Sequence, residues 1–203
     1  VVLGMPEQDK ADSSVHYIAA ALIGPEGIVG VYRKLHLGTP PAMTENVCFR
    51  QGDSLPVFET PYGPIGILIC YDFWRHPELS RILTLKGARL IINSTASVAG
   101  PGKEQFMVTL TTARATENHV YVASANLVGK DRTKSFYGHS TIAGPIFPRS
   151  MPVLAEAGDT EQIVSATLNF ESLHRFDQLN QWKKERRADL INREFSMVEG
   201  MRT

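Results

Sequence analysis

A cysteine that closes an apolar run, and a lysine 36 residues before it, are the side chains in this sequence best placed to break a bond. Cys70 follows Ile65-Gly66-Ile67-Leu68-Ile69 and precedes Tyr71-Asp72-Phe73-Trp74, just before a helix is expected to begin. A thiol on a strand-to-helix turn stands at a sheet's edge with backbone N–H groups close by. That setting suits attack on an acyl carbon and stabilisation of the oxyanion that results. The same position also suits a cysteine that only packs, since free cysteine is among the most buried residue types. Lys34 lies in Tyr32-Arg33-Lys34-Leu35-His36-Leu37. On a strand it shares a face with Tyr32 and His36, opposite Arg33 and Leu35. Alone it is a solvated charge at a strand's end; beside a cysteine, its cation would favour the thiolate and hold a tetrahedral intermediate.

The elements that must carry these residues follow from periodicity and turn chemistry. Ile65–Cys70 is apolar on both faces, so it reads as a central strand covered on both sides. A helix follows with Pro77 in its first turn, where the missing N–H costs little, and Gly87 at its C-terminal end. Arg89–Asn93 is the next buried strand, and strand, helix, strand in so few residues reads as a βαβ-like unit. Gly102 opens a second helix running to about Asn118. Further strands are expected at Val1–Leu3, His16–Ile23, Ile28–Tyr32, Val57–Thr60, Val120–Ala125, Ser140–Ala143 and Ile163–Leu168. Gly24-Pro25-Glu26-Gly27 predicts a hairpin turn between the second and third of these. Glu7–Ser13 reads as a loop, residues 38–56 as a long irregular stretch, and residues 171–195 as a polar helix followed by an extended tail. The fold class is α/β, with enough strands for two sheets.

Bulk properties exclude several functions. Lys+Arg and Asp+Glu both total 21, so the formal net charge is zero and no basic excess points to nucleic acid or an anionic membrane. The apolar runs are far too short to span a bilayer. Two cysteines, Cys48 and Cys70, make no disulfide framework and suit a reducing cytoplasm. Regularly spaced metal ligands are absent, and no metal or other cofactor is expected. The chain starts at Val1 rather than at methionine, and Val1-Val2-Leu3-Gly4 reads as a strand entered midway. Processing or truncation is therefore expected to have removed a preceding segment.

Several motifs in one order resemble the nitrilase superfamily of carbon–nitrogen hydrolases. Residues 32–37 look like its lysine motif. Gly66 to Trp74, with Pro77-Glu78 after it, looks like its cysteine motif. Between them Glu45, Phe49, Gly52 and Asp53 are similar to its glutamate-bearing loop. Downstream, Arg114 to Asn118, Tyr121-Val122-Ala123, Gly138-His139-Ser140, Gly144-Pro145 and Arg186 to Leu190 also fit, so the resemblance covers nearly the whole chain.

The resemblance implies a four-layer α-β-β-α sandwich and a Glu-Lys-Cys triad. Residues 1–203 would form the hydrolase domain, with residues 171–203 as a C-terminal helix and arm. Cys70 would be the nucleophile, Lys34 the oxyanion stabiliser, Glu45 the glutamate that positions substrate and lysine, and the Tyr71 N–H a second oxyanion donor. The family's general-base glutamate falls before the strand matched by Val1–Gly4. The site and the sheet would thus be completed by a preceding segment, and residues 1–203 alone are expected to aggregate and sustain no turnover. Glu7 matches a different, structural glutamate. His36 and His139 read as structural neighbours, Asp72, Glu78 and Arg81 as an ion-pair and capping set, and Cys48 as a packed thiol. The implied reaction is hydrolysis of a small amide or N-carbamoyl compound by water through a cysteine thioester, in a homodimer or larger homo-oligomer. Alternatives are a true nitrilase acting on a nitrile, or a non-catalytic fragment or scaffold.

Overall fold

Fifteen of the elements that build this α/β chain fall in the segment Val1–Asn169, one of two units into which the computed structural model divides; the second is Phe170–Thr203. The structure describes residues 1–39, 43–145 and 152–201. In chain order the first unit contains β1 (Val2–Gln8), β2 (His16–Gly24), β3 (Gly27–Arg33), α1 (Glu45–Cys48), β4 (Val57–Phe58), β5 (Ile65–Ile69), α2 (Tyr71–Arg75) and α3 (Pro77–Leu85). These are followed by β6 (Leu90–Thr95), α4 (Lys103–Asn118), β7 (Tyr121–Asn126), β8 (Val128–Asp131), β9 (Lys134–Tyr137), β10 (Thr141–Ala143) and β11 (Val153–Glu156).

Two sheets stack in the α/β sandwich that the motifs implied. One is antiparallel with order β1-β2-β3; the other has six strands in the order β11-β10-β7-β6-β5-β4. Within the second, β5, β6 and β7 run parallel, and β4, β10 and β11 are antiparallel additions at the edges. Gly66 to Ile69 are buried, as a strand apolar on both faces requires. One face meets the three-stranded sheet through Ala20, Leu22 and Tyr32; the other meets α3 and α4 through Leu79, Leu83 and Met107. The sheets lie so close at Gly4 that a Cβ there would stand 2.7 Å from Ser94 Oγ. A larger residue there would require the Ser94 hydroxyl to turn away.

Several expectations need correction. The loop placed at Glu7–Ser13 starts later, because β1 stays paired to β2 through Glu7↔Tyr17 and Gln8↔His16. Within the irregular stretch 38–56 a single helical turn, α1, carries Glu45 (residues 40–42 lie outside the described residues). No strand forms at Ile163–Leu168, where Ile163 is 98% exposed. The edge of β10 is taken instead by β11 (Val153–Glu156), so that β-rich run has no partner there. The β8–β9 hairpin, closed by a two-residue turn at Arg132-Thr133, was not expected at all. The second unit is helical where a tail was expected: α5 (Phe170–Leu179), α6 (Trp182–Glu185) and α7 (Ala188–Gly200). No helix among the described residues is long and apolar enough to cross a membrane.

Candidate active site

The carboxyl ends of the parallel strands open onto a cavity of about 630 Å³, where ligands bind in open α/β sheets. Its floor includes Ile69 and Cys70 from the end of β5, Ser94 and Thr95 from β6, and Leu127 just past β7. Lys34, Glu45, Met43 and Phe49 come from the segment after β3, and Asp131, Lys134 and Phe136 from the β8–β9 hairpin.

Cys70 occupies a backbone conformation of φ 49° and ψ −104°, at the junction of β5 and α2. For a residue with a Cβ such a turn costs on the order of 1–3 kcal/mol, and such strain is held only where surrounding contacts over-determine it. Two contacts do so here: the Cys70 N–H lies 3.1 Å from both the Ser94 carbonyl oxygen and Asn93 Oδ1. Asn93 is itself fully buried; its amide donates to Ser124 Oγ at 3.2 Å, which in turn accepts from the Thr111 hydroxyl at 2.8 Å. This polar ladder runs from α4 through β7 and β6 to the cysteine. Sequence reasoning did not find it, although an asparagine closing the run Leu90-Ile91-Ile92 in a central strand is a usable signal, because a buried amide must find partners. Tyr71, the first residue of α2, carries a backbone N–H with no intrahelical acceptor.

Lys34 is 1% exposed, despite being a lysine at a strand's end. Its ammonium lies 2.6 Å from Glu45 Oε2, and the same oxygen accepts the Gly38 N–H at 2.7 Å. A buried cation without such a partner would be untenable. The expected alternation holds from Tyr32 to Lys34, both buried while Arg33 turns outward, but not beyond, because β3 ends at Arg33 and it is Leu35, not His36, that packs on the core. Arg33 meets Glu7 through two bonds of 2.8 and 2.9 Å, which is the structural role expected of Glu7. The hydrogen bond to Glu7 and its charge raise the Arg33 pKa, so the guanidinium stays charged.

Other residues fall away from the cavity or change role. His36 packs its ring on His76 with centroids 3.5 Å apart, and His139 pairs with Glu156 at 2.9 Å; neither lines the cavity. Cys48 is exposed rather than packed, because α1 is one turn long and presents its last residue outward. Asp72 is not a helix cap. It is fully buried and takes its hydrogen bonds from Tyr32, Leu35 and His36 across the sheets. Glu78 does stay near its helix start, with Oε1 3.3 Å from His76 Nδ1, while Arg81 donates to the Glu117 carbonyl oxygen.

The returning segment of the glutamate-bearing loop is held by Gly52, whose N–H donates to the Lys34 carbonyl oxygen at 2.8 Å. A Cβ at this position would collide with the Arg33 carbonyl oxygen, which belongs to backbone and cannot swing aside. Gly52→Ala is expected to destabilise the fold by about 1–3 kcal/mol, lowering the melting temperature by several degrees. A thermal melt identical to wild type would show that the loop is free to move off Lys34.

Comparison with known proteins agrees with this architecture. The carbon-nitrogen hydrolase family matches over residues 1–178. An omega-amidase of Xenopus tropicalis is 35% identical over 196 residues, covering 93% of this chain and 67% of that protein. A carbon-nitrogen hydrolase from Helicobacter pylori superposes with a TM-score of 0.81 at 25% identity, over 94% of this chain and 69% of that one. An amidase from Nesterenkonia superposes at 0.75 with 26% identity, over 95% of this chain and 66% of that one. The chain spans 60% to 67% of the length of such curated relatives. With the matched family covering most of the sequence and the fold shared with its solved members, the chain belongs to the carbon-nitrogen hydrolases of the nitrilase superfamily.

Proposed function

We propose that this chain carries the thioester-forming site of an amide hydrolase, with Cys70 as nucleophile and Lys34 and the Tyr71 N–H as oxyanion donors. The observation that carries it is the strained Cys70 turn opening onto the same cavity as the buried Lys34–Glu45 pair. Attack by Sγ on the amide carbon moves charge to the substrate oxygen, where a lysine cation and a backbone N–H at the start of α2 can meet it. Ammonia or an amine leaves with a proton, and water then cleaves the thioester. Glu45 serves to hold Lys34, 2.6 Å from its ammonium, and to orient substrate. The cavity walls near Met5, Met43, Phe49, Val98 and Phe136 suit a substrate with an apolar portion, and the charges of Asp131 and Lys134 stand on the hairpin that borders it.

An amide is favoured over a nitrile because the Nesterenkonia protein, whose fold this chain shares, is an amidase; the acetamide moiety of fluoroacetamide on the active-site cysteine of one of its mutants supports a nucleophilic thiol at this place in the fold. Relatives named omega-amidase point the same way. A homodimer is part of the proposal, because α7 leaves Phe195, Met197 and Val198 exposed as an apolar set that a second copy could bury.

The test is a panel of small primary amides, N-carbamoyl compounds and nitriles given to the intact protein, with ammonia measured and the Cys70 peptide weighed by mass spectrometry. Ammonia from amides together with acylated Cys70 is the expected result. Turnover of nitriles alone, or ammonia with no acyl group ever found on Cys70, would overturn the reading.

A further inference from the structure

Cys70 and Lys34 come from different sheets, so their relative placement must be set by a contact that crosses between them. Asp72 makes that contact. It lies two residues after Cys70, in the first turn of α2, and is fully buried. Its Oδ2 accepts the Tyr32 hydroxyl at 2.7 Å and the Leu35 N–H at 3.1 Å. Its Oδ1 accepts the His36 N–H at 2.8 Å and lies 2.9 Å from His36 Nδ1. Every one of these partners belongs to residues 32–36, and they flank Lys34 on both sides. The segment cannot slide or turn without breaking bonds to a carboxylate that has no water to replace them. The Tyr32 hydroxyl remains a donor throughout, since burial and then the Asp72 charge push its pKa far above the ordinary tyrosine value.

We propose that Asp72 is a positioning residue that sets the Lys34 ammonium against the Cys70 sulfur and so acts on the chemical step rather than on substrate binding. This inference rests on the reading of Cys70 and Lys34 given above. Oxyanion stabilisation depends on donors already in place when charge develops, and a misplacement of about 1 Å can cost on the order of 100-fold in rate. Asp72→Asn keeps the side chain's size but turns an amide NH₂ toward N–H donors, leaving at least one of Leu35 and His36 without its acceptor. The expected effect is a fall in kcat of about 10- to 100-fold with KM changed little.

A residue that only held the fold would reduce melting temperature and yield while leaving kcat per titrated Cys70 unchanged. The deciding measurement is therefore a double-mutant cycle in the intact protein, with kcat expressed per Cys70 reactive toward iodoacetamide. If Asp72 works through Lys34, Asp72→Asn has little further effect once Lys34 is already alanine. Multiplicative losses, or an unchanged kcat in Asp72→Asn while Lys34→Ala and Cys70→Ala are impaired, would overturn the positioning role alone. Full activity in both Lys34→Ala and Cys70→Ala would overturn the underlying reading as well. Should Asp72→Asn fail to fold, Tyr32→Phe takes its place in the same cycle. It removes one of the four contacts, and a loss in kcat of roughly 2- to 10-fold that vanishes in the Lys34→Ala background is expected; no loss in kcat overturns the role.

Discussion

Replacing Cys70 by alanine in the intact protein is expected to lower kcat/KM by about 10⁴-fold or more, because a thioester cannot form without the sulfur and the residual oxyanion donors catalyse only weakly. Cys48→Ala, at an exposed position outside the cavity, is expected to leave turnover unchanged. The two thiols also provide an internal comparison. Cys48 is the more exposed of the pair, so accessibility alone would direct iodoacetamide to it first. Faster alkylation of Cys70, read from the two peptides by mass spectrometry, would report a thiol activated by its surroundings rather than one merely within reach. Preferential labelling of Cys48, or a Cys70→Ala protein that still turns over, would end the assignment.

Lys34→Ala carries the second large effect. Loss of one oxyanion donor is expected to reduce kcat by about 10²- to 10³-fold, with a much smaller change in KM, since the cation matters most when charge has developed on the substrate. A cost in stability accompanies it. Glu45 would keep the Gly38 N–H but lose its ion-pair partner while only 17% exposed, and leaving such a carboxylate unpaired costs up to about 3–5 kcal/mol in a fully buried setting. The partial exposure of Glu45 places the expected loss toward the lower end. Measuring kcat well below the variant's melting temperature separates the two effects. An unaltered kcat would make Lys34 a structural cation whose role is to hold Glu45.

The outer limits of prediction from local pattern are visible in particular residues. The β8–β9 hairpin brings Asp131, Lys134 and Phe136 to the cavity, yet its strands are four residues each and mostly exposed, so they carry little apolar alternation to read. Ile163–Leu168 has the opposite character: its β-branched residues read as a strand, but no open sheet edge receives it. Cys48 follows the same logic, since an apolar-looking thiol in a loop is packed only if some element covers it.

Local sequence determined β5 as a doubly covered strand, the turn at Cys70, the helix begun by Pro77, the next parallel strand, and the faces of Tyr32, Arg33 and Lys34. It did so because each depends on side-chain period, on glycine and proline geometry, or on burial of a continuous apolar run. The ordered motifs went further and marked Cys70, Lys34, Glu45 and Tyr71 as one set. Tertiary structure alone decided the partners of the buried polar groups. Asp72 looked like a residue serving its own helix, yet its acceptors are filled by donors 36 to 40 positions away. Asn93 looked like the end of a strand, yet it holds the Cys70 N–H from the neighbouring strand in register Leu68↔Asn93. A buried polar atom must be satisfied, but which donor reaches it is set by how two sheets stack and align, and that is a property of the assembled fold rather than of any window of sequence.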